Sequence, residues 1–250
     1  MSAERDAVQN LIDQNKPLMD LCSKVGHDIF VAERAKAMWM WVADHAGTIN
    51  QAKFGLFFGT FQHMALTEMF VALGRVFDEE RHHDKICIKQ ILVLMRTSNL
   101  IDRAHLLDFL QLDGQQRASW ASLPDSAVRD KAVEVILRGR PTFTSSEELG
   151  RVLEMRHTEI AHRALDPAYD RGRPKFEDVD HCIGWGKEFI GMVGKAFGNH
   201  VFKFDDGTFW SDYDVKSSIM SIRRLTHKAG IVVDTGFAET ERLAASFLKK

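Results

Sequence analysis

The chain has 250 residues, 45% of them hydrophobic and only five of them proline, enough apolar material for one large or two small mainly helical domains. A formal charge of -2 excludes a general polyanion binder, so any nucleic acid has to be gripped at a focused site. Cys22, Cys87 and Cys182 are odd in number, far apart and in no CxxC spacing, which excludes a disulfide frame or a zinc site and predicts reduced thiols packed in a core.

The first residues, Met1 to Asp6, carry both signs of charge and lead into an amphipathic pattern, unlike an export signal with its apolar centre, and the expectation is a cytoplasmic protein. Residues 4 to 46 keep apolar groups at helical intervals with breaks expected at Pro17 and Gly26, giving one long kinked helix or two short ones. Between about 51 and 78, Phe54, Phe58, Phe61, Ala65, Met69, Ala72 and Val76 form one stripe that Leu66, Phe70, Leu73 and Phe77 widen, as in a central helix packed on several neighbours. Polar interruptions at Thr60, Gln62, His63, Thr67, Glu68 and Arg75 deny this segment the unbroken apolar run of a membrane span, so no membrane partner is expected.

Asp78 to Lys85 reads as a solvated charged loop, and Ile86–Met95 and Ile101–Leu110 resume helical periodicity. Residues 111 to 144 are polar and turn-rich, with one short helix at 125 to 138, and look like an insertion. Ser145 and Glu148 have capping-box spacing and open a helix whose apolar stripe is Leu149, Val152, Leu153 and Ile160. Arg156 falls in the middle of that stripe, where a charge needs an ion partner, a cleft or a subunit interface. Asp166-Pro167 ends the helix near Leu165, so His162 stands in its last turn. In α-helical geometry Arg156 and His162 are about 120° apart and about 9 Å along the axis, able to flank one phosphodiester without touching. A glycine-rich helix over about 176 to 197, a hairpin around Asp206-Gly207, a helix over 213 to 229 and a terminal helix from 238 complete the chain. Residues 1–200 are expected to form one helical domain, with 201–250 as an extension packed on it.

An arginine holds phosphate through its fork of donors and a histidine moves protons near neutral pH, which makes the Arg156–His162 pair ribonuclease-like. Spacing alone does not single it out: 18 Arg and 11 His give roughly two Arg-x(4 to 6)-His matches by chance, and Arg75–His82 and Arg151–His157 fit as well. A rival pattern is Glu-x-x-His, present at Glu159–His162 and Glu79–His82, which with Glu68 and Glu188 would suit a di-iron bundle. Its second copy falls in the hydrophilic loop, and no metal or cofactor is expected.

The run Met155-Arg156-His157-Thr158-Glu159-Ile160-Ala161-His162, late in a helical chain, resembles the signature of the HEPN superfamily: Arg, a polar residue, spacers, then His. The stretch Met64 to Asp78 is similar to the Asp-terminated helix that precedes it in the abortive-infection U type of HEPN protein. The resemblance spans about residues 30 to 200. It implies an all-α bundle that dimerises with its motif helices face to face, and a composite site for metal-independent RNA cleavage. Arg156 and His162 would be catalytic, with His157 in the polar position after the arginine and Glu159 supporting. It further implies a toxin or phage-defence effector, restrained in many relatives by an antitoxin protein. Some members carry a tyrosine two residues after the histidine as a target for modification; Ala164 stands there, so control by that route is not expected. The same fold without catalysis would be an RNA-, nucleotide- or protein-binding dimer.

Overall fold

A computed structural model describes residues 2–78, 86–97, 103–138, 146–161, 172–198 and 211–231, with the backbone alone for 2–15, Thr97, Glu159, Ala161 and Ser211. All regular secondary structure among the described residues is helical. The helices are α1 (Ser2–Asp44), α2 (Ala46–Gln51), α3 (Gly55–Val76), α4 (Ile88–Thr97), α5 (Arg103–Phe109), α6 (Gly114–Ala121), α7 (Asp125–Leu137), α8 (Glu147–Met155), α9 (Phe176–Val193) and α10 (Ser211–Lys228). Two of them widen into π-helix at their ends, α8 into π1 (Arg156–Ala161) and α9 into π2 (Gly194–Gly198). The charged loop at 79–85, the hairpin at 201–210, the terminal helix from 238 and His162 lie outside the described residues.

By its contacts the chain forms two units, one of residues 1–29 and 70–209, the other of 30–69 and 210–250. In the first, Leu18, Cys22, Val25 and Ile29 of α1 lie on one buried line at helical spacing. That line begins just after Pro17, and α1 runs through both Pro17 and Gly26 without the expected breaks. A proline removes one hydrogen bond and crowds the preceding turn at roughly 3 kcal/mol, and burying a single Leu or Ile side chain recovers about 1.5–3 kcal/mol. The end of α3 buries Phe70, Leu73, Val76 and Phe77. Phe77 meets the Trp185 ring at 5.8 Å, and Trp185 stacks on Phe189 at 5.2 Å. Gly186 lets α9 approach α1, because a Cβ there would stand 2.8 Å from Ile29 Cδ1.

The polar stretch after α5 carries two helices, α6 and α7. α7 falls where periodicity places it and buries Val128, Ala132, Val133 and Ile136 against α4, α5 and α9. α6 buries no residue and so has no apolar signature; its ends are held instead. Asp113 accepts from the Gln116 backbone N–H at 2.7 Å, and Arg103 Nη2 donates to the carbonyls of Trp120 (2.6 Å) and Ala121 (2.9 Å) while its Nη1 meets Asp125 at 2.7 Å.

In the second unit Trp41, Val42, Ile49, Phe58, Ile222 and Ile231 make the core. Lys53, with a φ of 64°, makes the left-handed turn between α2 and α3. His45 stacks on Trp41 at 4.2 Å and bonds its carbonyl at 2.7 Å, closing the end of α1. α3 is central only in its second half. Leu56 is 89% exposed and Phe57 and Met64 are exposed too, and by length and composition α3 could cross a membrane, with 33% of its most apolar window buried.

Candidate functional site

α8 is opened by Ser146, whose hydroxyl accepts from the Leu149 backbone N–H at 3.3 Å. The cap is thus one residue later than the Ser145–Glu148 spacing suggests, and Glu147 and Glu148 occupy the first turn, favourably placed for the helix dipole. Leu149 and Val152 are buried as the stripe requires. One turn on, at Arg156, the backbone leaves α-helical hydrogen bonding for π, with bonds from i to i+5 instead of i+4. Each residue then turns the chain through a smaller angle. Residues 156–161 therefore do not follow the uniform α-helix from which the 120° separation was expected, and His162 lies outside the described residues. Thr158 Oγ1 donates to the Glu154 carbonyl at 2.9 Å, a local bond that competes with the regular ladder where the helix widens.

Arg156 is half-buried and lies against α3 at Gly74, where a Cβ would stand 2.8 Å from its Cδ and Nε. It lines an open cleft of about 690 Å³ together with Ser23, Lys24, His27 and Asp28 of α1, Arg75 and Asp78 at the end of α3, and Ile86. Of the three environments its place in the stripe allowed, the cleft is present. The arginines of the other two spaced matches are committed elsewhere. Arg75 donates from Nε (3.0 Å) and Nη2 (2.8 Å) to Asp28 Oδ1. Arg151 makes a two-pronged fork to the buried Asp178, Nε to Oδ2 at 2.9 Å and Nη2 to Oδ1 at 2.7 Å. Those hydrogen bonds are the main cause holding the Asp178 carboxyl below its ordinary range, against the opposing effect of burial. Among the described residues Arg156 has no such carboxylate.

His157 is exposed and engaged in an interaction of its own; Glu159 is described in its backbone only, inside π1. The cleft also holds side chains that the motif did not indicate. Ser23, Lys24 and His27 fall within one turn of α1 on its exposed side. Periodicity marks that side only as polar, which any solvated helix face is, and no spacing rule connects it to position 156.

The three cysteines are buried and free, and burial pushes the Cys22 and Cys182 thiols up to about 12, so both are inert thiols at neutral pH. Among the described residues no group of three or more His, Cys, Asp and Glu converges as a metal ion requires; Glu68 and Glu188 are both exposed, and Glu79 and His82 lie outside the description. No protein family, no curated protein and no solved structure matches the chain.

Proposed function

We propose that this chain is a metal-independent endoribonuclease of HEPN type, acting as a homodimer in the cytoplasm as a toxin or phage-defence effector that an antitoxin protein restrains. One observation carries the reading: Arg156, alone among the three arginines that begin the spaced pattern, lies along an open cleft with no ion-pair partner among the described residues. A guanidinium committed to a carboxylate has spent its fork, whereas this one makes no such pair among the described residues, which supports a role on a phosphate. Further support comes from the cleft's lining. Asp78 and Arg156, which belong to the two segments carrying the HEPN resemblance, stand in it together.

In this mechanism Arg156 holds the scissile phosphate and stabilises the charge that builds on its oxygens. A base takes the proton of the ribose 2′-hydroxyl, the 2′-oxygen attacks phosphorus, the bond to the 5′-oxygen breaks and that oxygen receives a proton. The products are a 2′,3′-cyclic phosphate and a 5′-hydroxyl, and no metal enters. His162 supplies one of the two proton transfers, His157 orients the site and Glu159 supports it. A binding-only dimer is the reading that an internal carboxylate on Arg156 would favour.

The test is RNA cleavage by the purified protein in EDTA. Arg156→Ala and His162→Ala are each expected to lower the rate at least about 100-fold with unchanged circular dichroism. Cleavage that survives both substitutions sinks the site.

A further inference from the structure

Arg156 lines the cleft from π1, and α1 lines it with polar groups that the ribonuclease mechanism does not use. Lys24 and His27 are three residues apart on one exposed helix face, with Ser23 beside them and Asp28 beneath, nearly buried at 9% exposure. Asp28 does not oppose an anion here, because Arg75 covers its Oδ1 with two hydrogen bonds. With that pair set aside, the charged side chains lining the cleft among the described residues are Lys24, Arg156 and Asp78, itself engaged in an interaction of its own, and His27 adds a donor. The surplus is small. Binding must then depend on direct contacts at these few side chains more than on a broad positive field, consistent with a chain whose overall charge is -2.

We propose that Ser23, Lys24 and His27 form a second phosphate-holding wall, so that the cleft takes a single-stranded RNA across two phosphates: one on Arg156, the next on α1. Lys24 meets the neighbouring phosphate as a point charge, and the Ser23 hydroxyl and His27 imidazole donate to its oxygens. A cleft of about 690 Å³ has the volume of a small-ligand pocket, enough for a nucleotide and its flanking phosphates. The assignment rests on the ribonuclease reading for the kind of ligand, while the wall itself rests on the cleft.

Fluorescence anisotropy with a labelled ten-nucleotide single-stranded RNA whose 2′-hydroxyls are methylated, so that the proposed 2′-oxygen attack cannot cut it, tests it on the full chain across a salt series. The double variant Lys24→Ala/His27→Ala is expected to bind about tenfold more weakly, and Lys24→Ala alone to flatten the dependence of log affinity on log salt by about 0.7, the share of one phosphate contact on a single strand. Lys228→Ala, an exposed cation at the end of α10 in the other unit, should change neither by more than the scatter of the measurement. Competition by inorganic phosphate and by ATP separates the ligand sources: displacement by RNA well below the concentrations at which either small anion competes supports a strand site, and equal competition by ATP overturns it in favour of a nucleotide pocket. Wild-type protein that does not bind the RNA, or α1 variants that bind it as well as wild type, overturn the wall. Binding that depends on Lys24 and His27 in a protein that cleaves nothing upholds the wall and removes the ribonuclease reading.

Discussion

A methyl group on Gly74 would stand 2.8 Å from both Cδ and Nε of Arg156 and 3.1 Å from its Cγ. The obstacle is a flexible side chain, so α3 itself can accept alanine; Gly74 lies in its last turn, where the gain in helix stability should be smaller than the roughly 0.5–1 kcal/mol of a mid-helix glycine. Arg156 has to move instead. Gly74→Ala is therefore expected to keep or raise the melting temperature while RNA cleavage falls at least about tenfold, the size of effect that a misplacement of about 1 Å in a catalytic group readily produces. Full activity in that variant would show that the resting position of Arg156 is irrelevant to turnover. At this scale the sequence was informative about Arg156, because a charge on an apolar stripe conflicts with its surroundings. It was silent about Lys24 and His27, whose polar surroundings on α1 create no conflict to notice.

Among the elements, α8 and α9 are joined by the Arg151–Asp178 fork, and Asp178 also accepts from the Lys175 backbone N–H at 2.8 Å at the start of α9. Three donors converge on one buried carboxylate. Its depressed pKa means that the folded state holds the ionised form better than the unfolded chain does. The resulting stability is complete above the unfolded value, about 3.9, and drains away as pH falls through the lower folded value. Asp178→Asn should cost about 2 kcal/mol at pH 7, and urea titrations should show the gap to wild type closing as the pH is taken below about 4. A gap that stays constant down to pH 2 would mean that the fork does not stabilise the ionised carboxylate. The elements that periodicity located are those with buried apolar residues: α1, α3, α4, α5, α7, α8, α9 and α10. α6 escaped because caps and Arg103 hold it, and the passage of α1 through Pro17 was hidden because the compensating burial is tertiary.

For the whole molecule, the proposed dimer makes the site a shared object. If Arg156 of one protomer works with His162 of the other, a mixture of the two inactive variants can rebuild it. After subunit exchange half of the dimers are mixed, and each has one complete site of two, so equimolar Arg156→Ala and His162→Ala should recover about a quarter of wild-type cleavage. No recovery, with exchange verified by native mass spectrometry of differently tagged copies, would place both residues of a working site on one chain. The all-α class was open to sequence reading because the helical stripes recur from end to end. Assembly was not, since a self-complementary face looks like any other half-apolar helix until a second copy meets it.

The widening of the helix at Arg156 bears on how such motifs are spelled. A pattern that counts residues from an arginine to a histidine treats the chain as a ruler with equal divisions, and in π1 the divisions change. Five intervening residues in a uniform α-helix and five that pass through π1 give different bearings between the same two side chains, although they are written identically. Arg151–His157 and Arg156–His162 share that count, yet the first crosses from α8 into π1 and the second begins inside it. Spacing in this chain is therefore a label for a backbone shape, and that shape changes at Arg156.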